Sequence, residues 1–193
     1  MNKKIAVIGL GYTGAPLAFA FAKKLKVIGY DLNKKRIKNL NRYIDENKQI
    51  TKKDFKNSRK NIFLTTNQYD LSLCNFYIIA VPTPVNKKNL PDLSILINAT
   101  KTVAKQLKKG DFVIYESTVY PGVTEDICIP ILEKISNFKI NNDFYCGFSP
   151  ERINPGDKKH SFAKINKIVS SSNKKSLNIV AKLYQSVIKA KIT

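Results

Sequence analysis

A chain of 193 residues can bury the core of one domain, and a hydrophobic fraction of 43% argues for a packed protein rather than a disordered one. The longest apolar runs, residues 5–9 and 76–81, are strand-sized where a membrane span needs about 20 residues, and no signal-peptide pattern precedes them, so we expect a cytoplasmic protein without a membrane partner. The net charge of +20 comes from lysines spread evenly along the chain, which is typical of a solvated surface and argues against a nucleic-acid partner.

Apolar runs alternate with amphipathic segments along the whole chain. In chain order we predict a strand at residues 5–8, a helix at 15–24, a strand at 26–30, a helix at 34–43, a capped helical turn at 51–54, strands at 61–65 and 76–81, a helix at 93–108, a strand at 112–115, a helix at 124–135, strands at 144–148 and 167–169, a helix at 174–188 and the start of a strand at 191–193. This alternation predicts a Rossmann-like, doubly wound α/β fold, with a mostly parallel sheet and helices on both faces.

The first predicted strand runs into a glycine-rich turn that opens the first helix. Gly9, Gly11 and Gly14 have the spacing G-x-G-x-x-G. Such glycines allow a tight turn, let the backbone approach a pyrophosphate and let helix and strand pack closely. The helix N-terminus offers N–H groups and the positive end of its dipole to the anion. Together these features predict a dinucleotide site.

Asp31 ends the second predicted strand, 22 positions after Gly9. A carboxylate at this place accepts hydrogen bonds from both hydroxyls of the adenosine ribose and repels a 2'-phosphate, so we predict NAD as the cofactor. Lys34, Lys35 and Arg36 leave NADP open as an alternative, because they could attract that phosphate.

The cysteines and the single histidine predict neither a metal site nor a disulfide framework. Cys74, Cys128 and Cys146 are odd in number and lack a short paired spacing, and we interpret them as small buried side chains. His160 lies among lysines, and we interpret it as solvated.

Four segments together carry a resemblance to one family. They read GLGYTGAP at residues 9–16, VPTP at 81–84, YESTVYPG at 115–122 and GFSPERINPGD at 147–157. In order and spacing they resemble the UDP-glucose/GDP-mannose dehydrogenase family, over essentially the whole chain. The form of residues 149–157 is similar to the branch that oxidises UDP-N-acetylglucosamine or UDP-N-acetylgalactosamine to the uronic acid for surface polysaccharides. The resemblance implies two successive NAD-dependent oxidations of a sugar C6 alcohol to a carboxylate.

The resemblance also implies which residues bind the cofactor. Besides the three glycines, they are Tyr12 and Thr13 in the turn, Asp31 and Arg36 at the adenosine end, and Thr83 and Thr118 in the dinucleotide crevice. Thr13 stands where the family usually has an aliphatic residue, a departure that a backbone contact tolerates.

Catalytic and substrate-binding residues follow from the same resemblance. Glu151 is expected to be the base that activates water to hydrolyse a thioester intermediate, with Thr118 positioning that water. Glu151, Arg152 and Ile153 are expected to contact the UDP-sugar. Without the resemblance, Glu151 and Arg152 would be interpreted as a surface ion pair.

The rest of the family's machinery is expected outside these 193 residues. In the family the nucleophilic cysteine lies in a C-terminal UDP-binding domain, and the Lys and Asn that stabilise the oxyanion lie on and near a central dimerisation helix. We therefore expect residues 1–193 to form one NAD-binding domain of a homodimeric enzyme, and to be inactive alone. The alternatives are a non-catalytic NAD-binding remnant or regulator and, less favoured, a basic nucleic-acid binder.

Overall fold

The computed structural model describes residues 3–150, 166–188 and 190–193. The strands in these ranges are β1 (Lys4–Ile8), β2 (Lys26–Tyr30), β3 (Ile62–Thr65), β4 (Phe76–Ile79), β5 (Asp111–Tyr115), β6 (Phe144–Phe148) and β7 (Ser170–Ser171). The α-helices are α1 (Gly14–Ala22), α2 (Lys34–Asn41), α3 (Lys52–Ser58), α4 (Ser94–Ala104), α5 (Ile129–Ser136) and α6 (Lys174–Gln185). The predicted elements at residues 5–148 are all present; some have shorter bounds, such as α4, and others longer ones, such as α3.

The strands form one sheet in the order β3-β2-β1-β4-β5-β6-β7. The five pairings from β3 to β6 are parallel, and β7 pairs antiparallel with β6. The chain leaves β1 toward β2 on one side and later returns to place β4 on the other, so the strand order reverses beside β1. Ligands of doubly wound sheets bind outside the carboxyl ends of the strands at such a reversal. The predicted Rossmann-like fold is confirmed.

Two hydrophobic layers cover the sheet, because successive strand residues point to opposite faces. Ile5 and Val7 of β1 belong to the layer packed against α1 and α6. Ala6 and Ile8 belong to the layer packed against α4 and α5. The central strands are buried on both sides, which explains why they read as continuous apolar runs.

The position of the strand predicted at residues 167–169 is wrong. The ladder with β6 forms at Ser170–Ser171. Lys167 and Val169 bond the chain end instead: the N–H of Val169 donates to the carbonyl of Thr193, and Lys167 bridges to Ile192. The predicted strand start at 191–193 is thus used as a partner for the segment before β7.

Two helical details differ from the sequence prediction. The segment predicted as one helix at 124–135 opens with a π-helical turn, Val123–Cys128, before α5 begins. A 3₁₀ helix at Gln68–Leu73, between β3 and β4, was not predicted. Across the described ranges, no helix combines the length and the apolar character that a membrane crossing requires.

Candidate functional site

Two of the three glycines in the turn after β1 are needed for packing. Gly9 has φ +89°, and a Cβ there would lie 2.9 Å from the carbonyl oxygen of Ala80. A Cβ on Gly14 would lie 1.8 Å from the carbonyl oxygen of Gly9. The turn, the start of α1 and the end of β4 therefore come together more closely than any side chain would allow.

Gly11 faces open space instead. A Cβ built there meets no atom within 4 Å. In the described part of the chain, the N–H groups of Tyr12 and Thr13 donate to no acceptor, and no side chain caps α1. Tyr12 is exposed and Thr13 half-buried. The turn thus leaves room for an anion, with N–H donors and the positive end of α1 beside it.

Asp31 lies directly beside this turn. Its Oδ2 accepts a hydrogen bond from the N–H of Leu10 at 2.8 Å, and its Oδ1 accepts one from the N–H of Asn33 at 2.8 Å. Each carboxylate oxygen can accept about two hydrogen bonds, so both keep capacity for a ligand hydroxyl. The carboxylate is half-buried, which lets it fasten the turn and still face a bound ribose.

Arg36 lies beneath the turn rather than on its surface. The side chain is 6% exposed, with Nε donating to the carbonyl of Leu10 at 2.8 Å and Nη1 paired with Asp45 at 2.7 Å. Asp45 also accepts from the N–H groups of Gln49 and Ile50. Nη2 is buried and has no protein partner in the described part of the chain. Arg36 therefore supports the turn at Leu10, and its predicted contact with the cofactor would have to come from Nη2.

The exits of β4 and β5 complete the crevice. Thr83 Oγ1 donates to the carbonyl of Thr118 at 2.7 Å, and Ser117 Oγ donates to the carbonyl of Val81 at 2.6 Å. These cross-bonds tie the two exits together around a crevice of about 170 Å³, whose wall is completed by Thr13 at the start of α1. The structure thus brings together Thr13, Thr83 and Thr118, three residues that the resemblance assigns to the cofactor.

The crevice wall also includes Glu116, which belongs to a buried polar group that sequence reasoning missed. Glu116, which directly precedes Ser117, is 1% exposed and pairs with Lys167, which is 3% exposed. The hydroxyl of Tyr184, from α6, donates to Glu116 as well. In sequence, Glu116 and Lys167 look like any other charged residues, because nothing local marks a charge as buried.

The predicted substrate-side residues Glu151, Arg152 and Ile153, and also His160, lie outside the described residues. The chain leading to Glu151 is described. After β6, the N–H of Ser149 donates to the carbonyl of Tyr115 at 2.9 Å, and Ser149 Oγ donates to the carbonyl of Ile168 at 2.8 Å. Ser149 is therefore fixed beside the exit of β5, two residues before Glu151.

The three cysteines are free and buried, as predicted. Burial raises the pKa of the Cys74 thiol to about 12, and it also raises the pKa values of Cys128 and Cys146. A thiol acts as a nucleophile in its thiolate form, so none of the three is suited to that role at neutral pH.

Residues 3–188 match the NAD binding domain of the UDP-glucose/GDP-mannose dehydrogenase family. The chain is 50% identical over 187 residues to UDP-N-acetyl-D-glucosamine 6-dehydrogenase of Salmonella typhi, covering 97% of this chain and 44% of that protein. It is 50% identical over 190 residues to protein CapL of Staphylococcus aureus, covering 98% and 44%. The UDP-D-ManNAc dehydrogenase structure from Pyrococcus horikoshii superposes with a TM-score of 0.91 at 35% identity, covering 98% and 46%. The chain thus spans less than half the length of these proteins.

Proposed function

The chain belongs to the UDP-glucose/GDP-mannose dehydrogenase family, and from that premise we propose that its glycine turn and crevice bind NAD for the oxidation of a UDP-N-acetylhexosamine. NAD supplies the hydride acceptor when it is bound. The chain's own part is to hold the pyrophosphate at Gly11, the adenosine ribose at Asp31 and the far half of the cofactor along Thr83 and Thr118.

The observation that carries the proposal is the contrast among the three glycines. Gly9 and Gly14 are in close contact with neighbouring backbone, whereas Gly11 borders open space beside N–H groups that have no acceptor among the described residues. A turn that served packing alone would give no reason for a glycine at position 11. Asp31, with acceptor capacity on both oxygens, stands next to the same space. These features fit a pyrophosphate and a ribose without a 2'-phosphate.

For the complete enzyme we propose oxidation of the C6 alcohol of UDP-N-acetylglucosamine, or a close relative of it, to a carboxylate in two NAD-dependent steps. The activity of the Salmonella typhi relative and the segment at residues 147–157 support this substrate class. In the proposal Glu151 activates the hydrolytic water, Thr118 positions it, and Arg152 and Ile153 contact the sugar nucleotide. We further propose a cytoplasmic homodimer, with a UDP-sugar as the partner of the site.

The test is a fluorescence titration of the 193-residue chain with NADH and with NADPH. We expect NADH to bind more tightly, and Asp31→Ala to weaken its binding by about 1 to 3 kcal/mol, because hydrogen bonds to a charged acceptor are lost. Asp31→Asn is the matched control, since its amide oxygen can still accept from Leu10 while the charge is gone. This variant should narrow the preference for NADH over NADPH. Equal affinities of the unaltered chain for the two cofactors would contradict the ribose assignment.

A further inference from the structure

A charged pair, Glu116 and Lys167, is buried at the crevice, and Glu116 forms part of the crevice wall. Glu116 follows β5, and Lys167 lies in the segment that precedes β7, so the two come from parts of the chain 51 positions apart. Both are almost completely buried, as is Tyr184 of α6 at 0% exposure. Burying an ion pair removes two charges from water, and replacing such a pair by apolar side chains is often neutral or stabilising. Stability alone is therefore a weak reason for this pair.

The contacts of Lys167 suggest another reason. Besides Glu116, its Nζ donates to the carbonyl of Ser149 at 3.1 Å and to the carbonyl of Pro150 at 3.4 Å. One ammonium group thus joins the exit of β5 to the two residues that follow β6. Its own backbone is held in turn, because the N–H of Lys167 donates to the carbonyl of Lys191 and its carbonyl accepts from Thr193.

Both of the places that Lys167 joins carry proposed functional residues. Glu116 is two residues before Thr118, which borders the crevice and bonds Thr83. Pro150 directly precedes Glu151 in sequence. A multidonor cation is suited to this task, since it can donate to two carbonyls and a carboxylate at once, which an apolar side chain cannot do.

We propose that Lys167, paired with Glu116, is a positioning residue. It fixes the backbone of Ser149 and Pro150, after β6, against the segment 116–118 that follows β5. The inference rests on the proposed function, because the position of Thr118 matters through the cofactor that the crevice binds. Lys167 itself does not line the crevice, whereas its partner Glu116 does, so Lys167 acts through Glu116 and through the backbone that it holds.

The experiment must separate positioning from simple support of the core. Lys167→Met removes the donors and breaks the buried ion pair with Glu116, so it lowers stability whatever the role. Glu116→Gln alone shows what the change in the crevice wall does to NADH affinity, because Glu116 borders the crevice. The double variant Glu116→Gln/Lys167→Met removes both charges and should recover most of that stability. Lys167→Arg restores a multidonor cation. Tyr184→Phe is the matched control, because it removes one hydrogen bond to Glu116 and keeps the contacts of Lys167 with the two carbonyls.

Three measurements on each 193-residue variant decide the matter: the urea unfolding midpoint, amide hydrogen exchange in peptides covering residues 112–120 and 144–150, and NADH affinity. We expect the double variant to regain its unfolding midpoint while exchange at the bonded amides of Ser149 and residue 116 stays faster. NADH should bind roughly five- to tenfold more weakly, as for the loss of one well-placed hydrogen bond. Lys167→Arg should restore slow exchange, and Tyr184→Phe should keep NADH affinity within about twofold.

Two outcomes would overturn the proposal. If the double variant recovers stability, slow exchange and NADH affinity together, the pair only stabilises the core and has no positioning role. Slow exchange in Lys167→Met at both peptides would show that the carbonyls do not need the ammonium. If the unaltered chain fails to bind NADH, the proposed function fails. Hydrogen exchange still decides whether Lys167 holds residues 149–150 against the segment that follows β5.

Discussion

At the scale of single residues, the glycine turn contains two glycines in close packing contact, Gly9 and Gly14, and one beside open space, Gly11. Gly14→Ala places a methyl group against the backbone of Gly9, where no flexible side chain can move aside. We expect it to lower the free energy of unfolding by about 1 to 3 kcal/mol, the range for overpacking a core. Gly11→Ala meets no atom and should leave that free energy nearly unchanged.

NADH binding, unlike the free energy of unfolding, should be sensitive to Gly11→Ala. Its added methyl group would occupy the space proposed for the pyrophosphate, so we expect NADH affinity to fall roughly tenfold or more, equivalent to about 1.4 kcal/mol. Urea unfolding and NADH fluorescence of the two variants provide the measurement, with each variant as the other's control. A Gly11→Ala variant that binds NADH as the unaltered chain does would show that the anion lies elsewhere.

The residues at this site differ in how far sequence could predict them. Gly9, Gly11, Gly14 and Asp31 were predictable because spacing along a strand, turn and helix fixes their geometry locally. The burial of Arg36 was not, since its partner Asp45 lies on a loop whose path depends on the whole fold. Glu116 and Lys167 were missed for the same reason: they are partners through tertiary structure alone.

At the scale of elements, α3 shows a local signal that predicts its own start. Thr51 Oγ1 accepts from the N–H of Asp54 at 3.2 Å, and the N–H of Thr51 donates to the Asp54 carboxylate at 3.0 Å, which forms a complete capping box. We expect Thr51→Ala to lower the free energy of unfolding by about 1 kcal/mol, measured by urea denaturation at pH 7. Thr102→Ala in α4 is the control, because that hydroxyl donates to a carbonyl within its own helix, and it should cost less.

The same cap should depend on pH. Burial raises the pKa of Asp54, but hydrogen bonds from Lys23 and Thr51 outweigh it and leave the pKa below its ordinary value of 3.8. A carboxyl whose pKa is lowered by folding stabilises the fold above its unfolded value, and this contribution is lost as pH falls through the folded value. The stability difference between Thr51→Ala and the unaltered chain should therefore shrink below about pH 3.8. A constant difference down to pH 2 would contradict the role of the carboxylate.

Element types were predictable where the hydrophobic periodicity was strong. The errors came where tertiary contacts determine which backbone segments pair. The central strands are buried on both faces and read as apolar runs. β7 lacks such a run, and its place depends on which partner the backbone near Lys167 finds. The π-helical start of the segment before α5 was likewise missed, because a single turn bonded from residue i to i+5 is too short to be distinguished in a search for a period of 3.6 residues.

At the scale of the whole molecule, the fold explains how residues from distant parts of the chain meet at one edge of the sheet. The turn after β1 presents Gly11, the end of β2 presents Asp31, and the exits of β4 and β5 present Thr83 and Thr118. The strand order reverses between β1 and β4. Lys167 then joins the β5 exit to the chain beyond β6. Cofactor and substrate sides of the proposed site are thus connected by backbone positions on neighbouring strands.

The last prediction concerns what these 193 residues can do alone. We expect them to bind NADH but to produce none from NAD and any UDP-sugar. Their cysteines are buried thiols with raised pKa values, and correct placement of reacting groups supplies about 7 to 11 kcal/mol of a barrier. Joined to the remaining C-terminal part of the Salmonella typhi relative, the chain should form NADH with UDP-N-acetylglucosamine, followed by absorbance, and Glu151→Gln should abolish it. Faster reaction with UDP-glucose would contradict the substrate class. Steady NADH formation by the 193 residues alone, lost on mutating Glu151, Cys128 or Cys146, would show that they already contain a complete site.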